Sequence, residues 1–147
     1  MRRCISDNNS VLSQMIEIYN RFNCSVVAIE EVAFDETNKY GIIDGKLIGD
    51  SNDIYQVTDM IEKPDQNNAP SNLAIIGRYI LTPDIFEIIK QTKKDESGEV
   101  QLTNALLTQA KKGKVIAYKY NGKRFDCGNV KGYIEATNYF AKLYGLI

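Results

Sequence analysis

The segment Asp126-Cys127-Gly128-Asn129 places a carboxylate between a predicted strand and a predicted helix, where it could take part in a reaction of a phosphate group. The segment follows a predicted strand, so that the aspartate is expected at a carboxyl end of the sheet, where the ligands of open α/β folds collect. Mg²⁺ prefers one or two carboxylates together with substrate phosphates, and Gly128 would let backbone approach those phosphates. The same residues are also typical of a turn that caps the following helix, and the residues alone leave both interpretations open.

Glu62-Lys63-Pro64 closes an apolar strand with two opposite charges. Neighbouring side chains of a regular strand face opposite sides, but Pro64 ends the ladder and favours an extended Lys63, so that both charged groups could turn into one cleft. Glutamate can accept two hydrogen bonds from sugar hydroxyls, and lysine brings a compact positive charge to a phosphate. The alternative is a surface ion pair at the end of a strand, which the two residues by themselves favour.

Histidine is absent from the sequence, which limits the available chemistry. Histidine-based nucleophilic triads, histidine-containing metal sites and histidine acid–base catalysis are therefore excluded within this chain. Nucleotidyl transfer is not excluded, because positioning and charge neutralisation dominate that reaction. Lysine plus arginine (18) nearly balances aspartate plus glutamate (19), so no overall field favours a nucleic acid or an anionic membrane as partner.

The cysteines and the N-terminal residues indicate in which cellular compartment the protein is expected. Cys4, Cys24 and Cys127 are an odd number without metal-site spacing, and we expect free thiols in a reducing cytoplasm. Arg2-Arg3 is followed by polar residues where an export signal would need an apolar stretch. No apolar run approaches the length of a transmembrane helix. We therefore expect a cytoplasmic protein.

Helical and strand patterns alternate along the chain and must position these groups. Strands are predicted at residues 25–32, 55–62, 73–81 and 115–120, and helices at 12–22, 82–89, 102–111 and 130–144. Tyr40 to Ile43 and Lys46 to Ile48 predict a short hairpin around Asp44-Gly45. Strands interleaved with helices indicate an α/β sheet covered on both faces. Without a repeat or a linker, residues 1–147 are expected to form a single unit.

Pro83 should occupy the first position of the helix at 82–89, where its missing N–H is harmless. The final helix is predicted to be amphipathic. The residues expected on one side of it are Val130, Tyr133, Ile134, Thr137, Phe140, Ala141 and Tyr144.

Four segments together resemble a known family: Glu62-Lys63-Pro64, residues 69–79, residues 98–103 and residues 125–129. Their order and spacing closely resemble the second half of the bacterial UTP–glucose-1-phosphate uridylyltransferases, or UDP-glucose pyrophosphorylases. The resemblance covers nearly everything after about Val11. It implies part of a doubly wound nucleotidyltransferase (Rossmann-like) mixed sheet with flanking helices, whose N-terminal half is absent.

The resemblance implies roles for the charged residues. Asp126 matches a metal ligand of the family, which makes Mg²⁺ the implied cofactor, and Gly128 lies beside it. Lys63 matches the lysine that neutralises the sugar phosphate, and Glu62 matches the glutamate that holds glucose. Glu62, Lys63 and Asp126 are therefore expected to converge on one cleft.

Further matched positions would line the sugar. Tyr40-Gly41 matches the family's sugar-side glycine, whose backbone lies close to glucose, although a glycine needed for the hairpin is compatible with this role. Thr103 begins a helix from which a hydroxyl or a backbone N–H could reach a sugar oxygen, and helix capping explains it equally well. Asn72 and Ala74 match the strand that lines the sugar pocket.

Two departures from the family bear on function. The family usually has Thr-Asp where this chain has Thr103-Asn104. The asparagine keeps the shape of the aspartate side chain and lacks its negative charge. No two glycines are separated by one residue and there is no Gly-x-x-x-x-Gly-Lys, so the family's glycine-rich nucleotide loop is not found. We therefore expect a C-terminal half that binds glucose 1-phosphate or UDP-glucose, binds UTP only with the missing half supplied, and turns over little alone.

The same resemblance leaves two alternatives. The chain could be a sugar-phosphate-binding subunit that completes a separate nucleotide-binding chain, or an oligomerising remnant without activity. Half of a doubly wound sheet would leave an unpaired strand edge and an uncovered helix face. We therefore expect a homo-oligomer formed through the exposed edge or by exchange of helices.

Overall fold

The computed structural model describes the backbone of residues 2–5 and the whole of residues 10–95 and 98–147, as a mixed α/β structure with flanking helices. The side chain of Cys4 thus lies outside the described residues. The strands are β1 (Arg2–Ile5), β2 (Ser25–Glu31), β3 (Gly41–Leu47), β4 (Ile54–Glu62), β5 (Leu73–Ile80), β6 (Val115–Lys119) and β7 (Lys123–Asp126). The helices are α1 (Val11–Phe22), α2 (Ile85–Gln91), α3 (Leu102–Ala110) and α4 (Val130–Leu143), with a 3₁₀ helix at Phe34–Lys39. None of the helices in these ranges is long and apolar enough to cross a membrane.

The chain divides into two compact units. The larger unit is Met15–Tyr120, and the smaller unit combines Met1–Gln14 with Asn121–Ile147. Each is described by itself below. The interpretation of residues 1–147 as one domain stays a prediction.

A five-stranded sheet that closes on itself is the frame of the larger unit, in the order β2-β5-β3-β4-β6. β2 is parallel to β6 and antiparallel to β5, and it is almost entirely buried because it lies between these two neighbours. The ring closes where Ile54, Tyr55 and Gln56 of β4 pair with β6. The expected free strand edge is therefore wrong for this sheet, since each of its strands has a neighbour on both sides.

The order of helices and strands agrees with the predicted alternation, with three local corrections. The predicted hairpin around Asp44-Gly45 is wrong, because β3 runs through both residues with a bulge and turns only after Leu47. Gly45 serves close approach instead: a Cβ there would lie 2.9 Å from the carbonyl oxygen of Gln56 on β4. Helix α2 begins at Ile85 rather than at Pro83, and the polar segment before β3 forms the 3₁₀ helix.

A buried polar network fixes the C-terminal end of α3. Gln109 is fully buried; its carboxamide oxygen accepts from the Ser25 hydroxyl at 2.8 Å, and its NH₂ group donates to Thr82 Oγ1 at 2.9 Å. The same NH₂ group donates to Asp84 at 3.1 Å. Hydrogen bonds from Thr82 and from Gln109 lower the pKa of the Asp84 carboxyl, against the effect of its burial. These bonds join α3 to the start of β2 and of α2.

The smaller unit pairs β7 with β1 and places α4 beside β7. The prediction that Asp126 ends a strand is confirmed, but that strand belongs to a two-stranded sheet and not to the main one, because β7 pairs with β1. Phe125 of β7 packs on Tyr139 of α4, with ring centroids 5.1 Å apart. Gly132 lies so close to β7 that a Cβ there would overlap the backbone carbonyl of Asp126.

We expect the Gly132→Ala variant to lower the free energy of unfolding by about 1–3 kcal/mol, the usual penalty of overpacking. This outcome requires the steric overlap with Asp126 to outweigh the better helix propensity of alanine, which is worth about 1 kcal/mol. Urea unfolding followed by circular dichroism measures the difference. The matched control is Lys131→Ala, an exposed neighbour on the same helix, which should change stability by no more than about 0.5 kcal/mol. A Gly132→Ala variant as stable as the parent would contradict the close approach.

Candidate functional site

A hydrogen bond between Glu62 and Thr103 is the centre of the site in the larger unit. Glu62 is the last residue of β4, and Thr103 lies in the first turn of α3. The Thr103 hydroxyl donates to Glu62 Oε2 at 2.5 Å, and the threonine is only 6% exposed. Glu62 is half-buried. A half-buried carboxylate held by a short charge-assisted bond keeps a fixed orientation.

Gly41 completes this contact because it has no side chain. It pairs with Glu62 across β3 and β4. A Cβ at position 41 would lie 3.0 Å from Glu62 Oε2 and 3.2 Å from Thr103 Oγ1, closer than such atoms normally approach. The structure therefore brings together Gly41, Glu62 and Thr103, three of the residues that the sequence singled out.

Lys63 leaves the strand in an unusual conformation. Its φ is 46°, in the left-handed region, so the predicted extended conformation is wrong. The reason is tertiary: the Lys63 N–H donates to the carbonyl oxygen of Tyr40 at 2.9 Å, and Pro64 is buried. A left-handed backbone costs a residue with a Cβ roughly 1–2 kcal/mol, and such strain is often found at functional sites.

The Lys63 side chain is exposed and makes no ion pair with any residue in the described part of the chain. The alternative of a surface ion pair between Glu62 and Lys63 is therefore not observed. The ammonium group is left available for an anion from solution. A lysine with its charge unpaired beside an oriented carboxylate suits a ligand that carries both hydroxyl and phosphate groups.

Asn72, two residues before Ala74 and just ahead of β5, and Ala74, within β5, have structural contacts. The Asn72 carboxamide donates to the carbonyl oxygen of Val32 at 3.2 Å, and its backbone oxygen accepts from the Val32 N–H at 3.0 Å. Ala74 is fully buried and pairs with Ile42, the residue after Gly41. Their roles at a sugar stay predictions.

Asp126 and Gly128 lie in the smaller unit, where they form a turn. Asp126 Oδ1 accepts from the Gly128 N–H at 3.1 Å, as in an Asx turn, and the carboxylate is half-buried. Asn129 then caps α4 by accepting from the Gly132 N–H at 2.8 Å. The turn is therefore observed, with Asn129 and not Asp126 as the cap. Convergence of Asp126 with Glu62 and Lys63 stays a prediction.

Metal binding by the protein alone finds no support in residues 10–95 and 98–147, where no group of three or more cysteine, aspartate or glutamate side chains could hold an ion. A metal at Asp126 would need most of its ligands from a substrate.

Thr37 is a positioning residue that the sequence reasoning missed. It lies fully buried in the 3₁₀ helix just before Tyr40. Its hydroxyl donates to the carbonyl oxygen of Phe34 at 2.8 Å, and the carbonyl oxygen of Pro64 lies 3.5 Å from the same hydroxyl. The side chain thus ties together the two segments that carry Tyr40 and Lys63. A threonine in a polar stretch gives no signal of burial, so the sequence could not have indicated this contact.

Comparisons with known proteins bear on the family to which the chain belongs. The family model described as Nucleotidyl transferase matches residues 7–142. A UTP–glucose-1-phosphate uridylyltransferase of Pseudomonas aeruginosa is 59% identical over 139 residues, which are 94% of this chain and 49% of that protein. UTP–glucose-1-phosphate uridylyltransferase 2 of Staphylococcus saprophyticus is 39% identical over 138 residues, 93% of this chain and 47% of that protein.

Among solved structures, a UDP-glucose pyrophosphorylase complexed with UDP-glucose superposes with a TM-score of 0.88 at 55% identity, over 96% of this chain and 53% of that one. The expected mixed α/β nucleotidyltransferase fold is thereby confirmed. The chain spans about half the length of the curated relatives it matches.

The strain at Lys63 can be measured by comparing Lys63→Gly with Lys63→Ala. Both variants remove the amine, but only glycine adopts the left-handed conformation without steric penalty. We expect Lys63→Gly to be more stable than Lys63→Ala by about 0.5–1 kcal/mol, after the larger entropy of glycine in the unfolded chain is subtracted. Urea unfolding of both variants gives the difference. If alanine proved the more stable, Lys63 would not have the backbone described above.

Proposed function

This chain belongs to the nucleotidyl transferase family, and from this premise we propose that it forms the sugar-phosphate side of a UTP–glucose-1-phosphate uridylyltransferase site. In the proposed reaction a phosphate oxygen of glucose 1-phosphate attacks the α-phosphorus of UTP. The bond from that phosphorus to the bridging oxygen of the β-phosphate breaks, pyrophosphate leaves, and UDP-glucose forms. The observation that carries the proposal is the Gly41–Glu62–Thr103 contact beside the unpaired Lys63.

Glu62 is proposed to hold glucose. Its Oε2 accepts from Thr103, which leaves Oε1 to accept from a sugar hydroxyl. The hydroxyl of Thr103 is then a positioning group that fixes the carboxylate, rather than a group that contacts sugar. Gly41 and Tyr40 present backbone next to the same carboxylate, and the absence of a side chain at Gly41 lets Glu62 and Thr103 approach each other.

Lys63 is proposed to neutralise the phosphate of glucose 1-phosphate. The ammonium is exposed, and its backbone is held by Tyr40 and by the buried Pro64, so the base of the side chain has a fixed position. Neutralisation of the attacking phosphate lowers its repulsion from the triphosphate of UTP, which is the main task of a protein in this class of reaction. Asn72 and Ala74 are proposed to support the neighbouring wall of the sugar pocket.

Mg²⁺ is the proposed cofactor, and Asp126 would hold it. Asp126 offers one half-buried carboxylate, oriented by the Gly128 N–H, and Mg²⁺ is commonly bound by one or two carboxylates plus substrate phosphates. The donor set of this turn therefore fits the ion. When bound, the ion would neutralise charge on the phosphates of the nucleotide.

The cytoplasm is the proposed compartment, because Cys24 and Cys127 are free thiols.

A homo-oligomer is the proposed assembly, formed through the outer face of α4. Tyr133, Ile134 and Tyr144 on this face are 63%, 50% and 66% exposed. Tyr133 and Tyr144 line an apolar groove that has no charged side chain among its lining residues, so the same uncharged face of a second copy fits it better than a charged partner.

We expect glucose 1-phosphate to bind the chain with heat that calorimetry can detect, and Lys63→Ala to weaken this binding tenfold or more through loss of the charge on phosphate. The matched control is Lys46→Ala, which removes an exposed lysine from β3 and should change affinity less than twofold.

Thr103→Val should weaken binding of glucose 1-phosphate more than Thr103→Ser, because serine keeps the hydroxyl that orients Glu62. Equal affinities of the Lys63 and Lys46 variants would reject the proposed site.

Sedimentation velocity over a range of protein concentrations tests the proposed oligomer. We expect association that increases with concentration and is lost in Tyr133→Lys, which places a charge on the apolar face. The control is Asn138→Lys on the same helix, an exposed residue that does not line the groove. A monomer at every concentration would exclude assembly through α4.

A further inference from the structure

A cleft between α2 and α3 lies outside the Gly41–Glu62–Thr103 contact and has the volume of a small-molecule site. It encloses about 380 Å³, within the range of pockets that hold small ligands. We propose that this cleft binds a small phosphorylated metabolite at a site separate from the one for glucose 1-phosphate. The lining residues are Ile88, Gln91, Thr92, Lys93, Asn104, Thr108 and Lys112.

The charge of the cleft has one sign. Lys93 and Lys112 contribute two ammonium groups, and the lining contains no carboxylate. Neither lysine forms an ion pair with a residue in the described ranges. Glu87, the acidic residue on α2, is already paired with Lys90 at 2.7 Å. Two unpaired cations in one concave surface attract a dianion more strongly than either would alone.

Neutral hydrogen-bond donors accompany the two cations. Gln91 and Asn104 each offer a carboxamide NH₂ that has no partner among the described residues. Asn104 and Thr108 are four residues apart on α3, and Lys112 follows at the same spacing beyond the end of the helix, so the three share one face.

Two carbonyl groups near the end of α2 already accept hydrogen bonds from Thr92. The Thr92 hydroxyl donates to the Ile88 oxygen at 2.8 Å, and the Thr92 N–H donates to the Ile89 oxygen at 3.1 Å. These two acceptors are therefore already engaged, and the donors that the cleft offers to an anion are the two ammonium groups and the two carboxamide NH₂ groups. Donors around a doubly charged ligand suit a phosphate monoester, which carries about −1.5 to −2 charges and three acceptor oxygens.

Position 104 strengthens the assignment. Asn104 is uncharged, and its side chain lines the cleft. A carboxylate would offset one of the two lysine charges and would repel a phosphate. The asparagine instead contributes a donor at the same place.

Nuclear magnetic resonance titration with inorganic phosphate, at ionic strength held constant with chloride, tests the proposal. The probes are the side-chain amide signals of Gln91 and Asn104, which report on the cleft alone. We expect saturable shifts, and an affinity at least tenfold lower in the Lys93→Gln/Lys112→Gln double variant. Asn104→Asp, followed through Gln91, should lower the affinity in the same direction.

Lys111→Gln is the matched control, because it removes an exposed lysine next to Lys112 that does not line the cleft, and it should change the affinity less than twofold. The shifts should persist in Lys63→Ala, so a failure at the cleft can be distinguished from a failure at the glucose 1-phosphate site. Shifts that do not saturate, or that weaken equally in the Lys111 variant, would show only nonspecific attraction and would overturn the proposal.

Discussion

The approach of α3 to the paired ends of β3 and β4 is the constraint on which the site depends. The first turn of α3 lies so close that a Cβ at Gly41 would press on both Glu62 and Thr103. The short Thr103–Glu62 hydrogen bond then fixes a half-buried carboxylate to the buried Thr103. At the other end of the helix, Gln109 is joined to Ser25 and Thr82 in a buried polar network. Because α3 is held at both ends, the position of Glu62 is set by the packing of the whole larger unit.

The strain at Lys63 follows from the same packing. Tyr40 immediately precedes Gly41, and its carbonyl oxygen accepts from the Lys63 N–H while Pro64 is buried below. An extended Lys63, which the proline by itself would favour, is incompatible with this bond and this burial together. The left-handed backbone that results leaves the ammonium group exposed and without an ion pair in the described ranges. Local strain and an available charge therefore have one tertiary cause.

Local patterns in the sequence predicted well those features that local patterns determine. The apolar run of β2 and the first half of β5 are buried as their composition indicates. The structure also brings Gly41, Glu62 and Thr103 together, while their roles at a sugar stay predictions. The errors arose where distant pairing overrides a local preference. Asp44-Gly45 has the composition of a hairpin turn, yet pairing with β4 keeps both residues inside β3, opposite a bulge on β4. The pairing of β4 with β6, which closes the sheet, joins segments that are about 60 residues apart. The local sequence pattern of neither segment indicates this pairing.

Adjacent residues on α3 show why a motif alone could not separate two functions. Thr103 is buried and donates to Glu62, whereas Asn104 is exposed and lines the cleft beside α2. Successive residues of a helix differ by about 100° around its axis, so neighbours in sequence serve different surfaces. The uncharged side chain at position 104 therefore belongs to the cleft and not to the contact around Glu62. Asn104 lies on the surface where two lysines are unpaired among the described residues, and Thr103 alone of the two neighbours contacts the oriented carboxylate.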